Sequence, residues 1–155
     1  MCKKILIVED EIFVALEIEQ IVEDAGFEVA AIAADRAAAL EAAAGCDIAL
    51  VDLNLRDGPT GPSIGMDLAA QHGMRIIYVT ANPAQIGAAS VVALGVITKP
   101  FRAHSVSAAL RLAAADQPEP HMADIAGFIP FLPPGSSNGQ ESRGGAPVRP
   151  ASIRA

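Results

Sequence analysis

The sequence predicts an α/β fold: a doubly wound parallel sheet of five strands with helices on both faces. Three observations carry this. Short runs rich in Val, Ile and Leu recur between residues 4 and 98. The stretches between them mostly place apolar residues at helical spacing or begin with a capping residue. The runs are continuous in their apolarity, as expected of strands covered on both sides. Strand–helix alternation of this kind favours parallel pairing through right-handed crossovers.

The first strand is Lys4-Ile5-Leu6-Ile7-Val8. A helix follows from Glu11 to Ala25, with Ile12, Ala15, Leu16, Ile18, Ile21, Val22 and Ala25 as its apolar stripe and Gly26 as its stop. Phe27 to Ala33 is the second strand. Asp35 is a natural N-cap for an Ala-rich helix that ends at Gly45. Asp47 to Leu53 is the third strand, and residues 54–63 form a loop of turn formers: Asn54, Asp57, Gly58, Pro59, Gly61 and Pro62. A third helix covers Ser63 to His72, and Arg75 to Val79 is the fourth strand. Asn82 and Pro83 open a fourth helix that Gly87 interrupts. Val96 to Thr98 is the fifth strand, and Ala103 to Ala115 the fifth helix.

After Ala115 the composition changes. Residues 116–155 hold seven of the eleven prolines, together with Gly135, Gly139, Gly144 and Gly145. The chain therefore divides into a folded unit, 1–115, and a Pro/Gly-rich tail, 116–155, expected to be disordered from about Ser136. Residues 125–132 are too apolar for a pure linker. They could lie as an extended strap over residues 83–98, which carry no charged side chain, or dock on a second copy as a homodimer arm.

Composition excludes several functions. The net charge of −7 lacks the basic footprint of a nucleic-acid binder and disfavours anionic membranes. No apolar run approaches a membrane span, and Lys3-Lys4 is followed by only four apolar residues before three acids, unlike a signal peptide. Cys2 and Cys46 have no metal spacing and read as free thiols, Cys46 buried; a reducing, cytoplasmic setting is expected. His72, His104 and His121 are scattered and adjoin no nucleophile signature. Gly58-Pro59-Thr60-Gly61 lacks the Gly-Lys-Ser/Thr ending of a P-loop.

The chemistry lies at the strand exits. The first strand leaves into Glu9-Asp10-Glu11, the third ends on Asp52, the fourth on Thr80 and the fifth on Lys99. In a parallel sheet these exits share one edge, where ligands bind. Each residue alone has an ordinary explanation: acids suit a helix start, a threonine a turn, a lysine the solvent. Together, Glu9, Asp10 and Asp52 would repel unless a hard cation joined them, and Mg²⁺ with its oxygen ligands fits. A spare carboxylate there can attack phosphorus, with Lys99 and Thr80 supplying charge and a hydrogen bond to the phosphoryl oxygens.

The combination Val8-Glu9-Asp10-Glu11, Val51-Asp52-Leu53, Thr80-Ala81 and Lys99-Pro100-Phe101 resembles the receiver domain of bacterial two-component response regulators over about residues 3–115. The resemblance implies a flavodoxin-like strand order, 2-1-3-4-5. It implies phosphorylation of Asp52, with Mg²⁺ on Glu9, Asp10, Asp52 and the backbone carbonyl of Asn54, with Thr80 and Lys99 on the phosphoryl group, and with a cis Lys99–Pro100 bond. The implied partners are a sensor histidine kinase or phosphotransfer protein and a downstream protein. Such a single-domain regulator signals through protein contacts or acts as a phosphate sink. It is a switch rather than an enzyme. Two departures stand out. Val96 occupies the place of the usual aromatic, and the Thr80–Lys99 interval is short, so helix four should be short or irregular. The alternatives are an aspartyl-nucleophile phosphatase of the haloacid dehalogenase type and an unphosphorylated scaffold. Asp52-Leu53-Asn54 lacks the second acid of the former, and a scaffold needs none of the acid, Thr and Lys set.

Overall fold

The computed structural model describes residues 2–115 and 125–131. Its elements run β1 (Lys4–Val8), α1 (Ile12–Asp24), β2 (Glu28–Ala33), α2 (Arg36–Ala42), β3 (Ile48–Val51), α3 (Gly61–His72), β4 (Arg75–Thr80), a 3₁₀ segment (Pro83–Val92), β5 (Ala93–Thr98), α4 (Ala103–Ala114) and β6 (Phe128–Pro130). The sheet order is β2-β1-β3-β4-β5-β6. The first five strands are parallel, as expected. The sixth is antiparallel to β5 and extends the five-stranded sheet by one. The expected disorder from Ser136 lies outside the described residues.

Alternation within each strand splits the core into two layers. Leu6, Val8, Ala49 and Val51 face α2, α3 and the 3₁₀ segment, against Ile64, Leu68 and Ile86. Ile5, Ile7, Leu50 and Ile97 face α1 and α4, against Ile18, Val22 and Leu110. The caps behave as the residue types suggest. Asp35 accepts from Ala38 N at 2.9 Å, and Gly26 ends α1 at φ 93°. Cys46 is buried and both cysteines are free.

One expectation needs correction. Ile12 and Leu16 belong to the predicted apolar stripe, yet they are exposed, with Phe13 beside them at 84 %. Of that stripe the sheet takes Ala15, Ile18 and Val22, with Val14 packed beside them, while Ile12 and Leu16 lie on the solvent side of α1. The fourth helix is irregular, as expected of the short Thr80–Lys99 interval and of Gly87. Gly87, at φ 57° and ψ −135°, breaks Pro83–Val92 into 3₁₀ turns, and only Ile86 and Ala89 are buried there.

Candidate functional site

Ladder bonds continue past the strand ends and hold the site residues in place. Glu9 N donates to Ala33 O at 2.9 Å, Asp52 N to Val8 O at 2.9 Å and Lys99 N to Thr80 O at 2.9 Å. Glu9, Asp52 and Thr80 are buried and Asp10 is exposed. One carboxylate oxygen from each of Glu9, Asp10 and Asp52 lies within 4.8 Å of the others. Lys99 reaches into this cluster through the cis Lys99–Pro100 corner. Its Nζ donates to Glu9 Oε1 at 2.9 Å and to Asp52 Oδ2 at 3.1 Å. Asp52 Oδ1 accepts from Leu53 N at 2.7 Å, and Thr80 Oγ1 from Asn82 N at 3.0 Å.

Burial pushes the Glu9 carboxyl up to about 7; Lys99 opposes this and the Asp52 charge adds to it. For Lys99, burial disfavours the charge, but Glu9 and then Asp52 outweigh it and hold the ammonium above its ordinary range. The donor set fits a hard divalent cation: three carboxylates meet, one of them open to solvent, with buried partners that favour added positive charge.

The family model for the response regulator receiver domain matches residues 5–111. The chain belongs to this family. Among curated proteins, this receiver is 33% identical to the phyllosphere-induced regulator PhyR of Methylorubrum extorquens, over 71% of this chain and 43% of that protein. It is 34% identical to the sensory transduction protein RegX3 of Mycobacterium tuberculosis, over 69% of this chain and 48% of that one. It thus spans less than half the length of either relative. Among solved structures, the Erythrobacter litoralis PhyR REC domain aligns with a TM-score of 0.69 at 30% identity, covering 77% of this chain and 95% of that one.

Within the receiver, Glu9, Asp10, Asp52 and Lys99 meet directly, and Thr80 adjoins them through its bond from Lys99 N. The Asn54 side chain points elsewhere. Its amide forms a reciprocal pair with Gln85, at 2.8 and 3.2 Å, which ties the β3 exit to the 3₁₀ segment. Val96 is buried in the layer facing that segment. His72 and His104 are exposed and stand apart, while His121 lies outside the described residues.

Two contributors escape sequence reading. Gln85 has no signal, being one polar residue in an apolar run. Gly61 reads only as a turn former, but it permits the first turn of α3 to lie against the Asp52 backbone: a Cβ there would stand 2.1 Å from Asp52 O.

Proposed function

We propose that this receiver is a phosphorylation switch in which Asp52 accepts a phosphoryl group from a sensor histidine kinase or phosphotransfer protein. The observation that carries this reading is Lys99 Nζ held between Asp52 and Glu9 beside Asp10, at the carboxyl edge of the sheet. An Asp52 carboxylate oxygen bonds to phosphorus as the donor's P–N bond breaks, and the imidazole leaves. Lys99 then places its charge against the phosphoryl oxygens, and Thr80 has a hydroxyl within the same edge to donate. Mg²⁺ on Glu9, Asp10, Asp52 and the Asn54 backbone carbonyl would neutralise part of the phosphoryl charge. Ile12, Phe13 and Leu16 are exposed on α1 just after Glu9 and Asp10, an apolar surface suited to a helical donor. Output is through protein contacts or by draining phosphate from the donor, with no turnover of an external substrate.

The test is phosphorylation with acetyl phosphate and Mg²⁺. Wild type should form an acid-stable, base-labile adduct, and Asp52→Ala should form none; equal labelling of the two removes the assignment. Asp10→Asn should bind Mg²⁺ about tenfold more weakly, since one charged ligand of the cation is lost. Unchanged affinity by titration calorimetry would mean that the cation site lies elsewhere.

A further inference from the structure

The stretch 125–131 returns to the sheet and pairs with β5, whose outer edge it covers. Its hold is small. Thr98 N donates to Gly127 O at 3.1 Å, Phe131 N donates to Leu94 O at 2.8 Å, and Ser105 Oγ donates to the Ala126 carbonyl. Phe128 is the one fully buried residue of the stretch. It packs over Gly95, where a Cβ would stand 2.4 Å from Ile129 O and 2.5 Å from Phe128 Cζ.

The outer side of β6 has no free backbone donor for a further strand. In this register Phe128 and Pro130 turn their backbone groups outward. The Phe128 N–H is taken by Ile125 O at 3.1 Å, and Pro130 has none to give. β6 is therefore a poor template for another strand, since it offers only carbonyl acceptors on its outer side.

Its inner side is tied to the acid cluster. Thr98, which holds Gly127, pairs with Thr80 and immediately precedes Lys99. Lys99 N bonds Thr80 O, and its Nζ spans Glu9 and Asp52. A shift of Lys99 toward a phosphoryl group pulls on the end of β5 that holds β6. A three-residue strand with one buried side chain lies at the low end of local stability, where a small pull suffices.

We propose that Ile125–Phe131 is a strap whose hold on β5 reports the state of Asp52. It is closed while Asp52 is unmodified and released when Asp52 is phosphorylated, which opens the β5 edge. This rests on Asp52 being the phosphoacceptor. Release and phosphorylation are then linked reciprocally: a chain whose strap is already loosened binds a phosphoryl mimic more tightly.

Hydrogen exchange by mass spectrometry on the full chain tests both directions. With Mg²⁺ and acetyl phosphate, Asp52 gains the phosphoryl group and acetate leaves; intact mass reports the labelled fraction. In labelled protein, the amides of Phe128, Ile129 and Phe131 should exchange about tenfold faster or more, and in Asp52→Ala they should not change. Labelled protein with unchanged exchange overturns the strap alone, whereas absence of label overturns the phosphoacceptor reading and the strap with it. Gly95→Ala, whose Cβ collides with strap atoms, should free the strap without phosphorylation. It should bind beryllium fluoride with Mg²⁺ about fivefold more tightly, the low end of ordinary coupling. Phe128→Ala removes only a strap side chain and should do the same. If both variants bind the mimic with wild-type affinity, there is no coupling.

Discussion

At Glu9 burial and pairing pull in opposite directions. The carboxylate accepts from Lys99, which favours its charge, yet burial raises its pKa to about 7. An unfolded glutamate titrates near 4.5. Between these values the folded chain holds a proton that the unfolded chain has lost. Without a divalent cation, stability should therefore fall as pH rises from about 4.5 to about 7, by up to about 3 kcal/mol. Below 4.5 both states are protonated and above 7 both are ionised, so the slope from this group disappears outside the window. Glu9→Gln should remove that part of the slope, and Mg²⁺, which binds the ionised form, should oppose it in wild type. Urea melts in chelator across this range provide the check. Equal slopes in wild type and Glu9→Gln would show that Glu9 ionises normally. Glu9 and Asp52 were legible as strand-exit acids, but the depth of their burial was not: Lys99, which bonds both, comes from a strand exit far away in the chain, and no local pattern encodes that meeting.

The element that sets Asp52 in place is the turn from β3 into α3. Gly61 N donates to Leu53 O at 3.0 Å, and the first turn of α3 lies against the Asp52 carbonyl. Backbone on backbone leaves no flexible side chain to give way, so Gly61→Ala must move either the helix start or the Asp52–Leu53 peptide. We expect a loss of about 1–3 kcal/mol, the usual range for overpacking, together with slower phosphorylation by acetyl phosphate. Gly58→Ala separates strain from displacement. Its φ of 112° resists a side chain, but nothing lies within 4 Å of its Cβ position, so it should lose about 1 kcal/mol and keep the wild-type phosphorylation rate. Equal rates in Gly61→Ala and wild type would mean that the loop absorbs the clash. In the sequence the two glycines look alike, because both sit in one run of turn formers. Only the packing of α3 on β3 tells them apart. The 3₁₀ segment is the converse case, since Gly87 within an otherwise helical stretch already foretold its irregularity.

Across the whole molecule, the five parallel strands were legible because burial on both faces leaves continuous Val, Ile and Leu runs. β6 was not, because three residues ending in proline carry no period and their partner strand lies some thirty residues earlier. The apolar character of the stretch was visible, but not that its backbone would complete the sheet. Whether β6 is part of the cooperative core or a separable piece can be read from one substitution. Phe128 is 4 % exposed and packs with Ile97, Val106 and Leu110. Were it anchored like those residues, Phe128→Ala would lose about 3–5 kcal/mol. A strap that can leave on its own limits the loss to its docking free energy, because the rest of the fold stays intact once it has gone. We therefore expect a loss of about 1–2 kcal/mol in denaturant melts of the full chain, with faster exchange at Thr98 and Phe131 and unchanged exchange in β1 and β3. A loss above about 3 kcal/mol, with protection falling throughout the sheet, would make β6 a sixth core strand, unable to move without unfolding the domain.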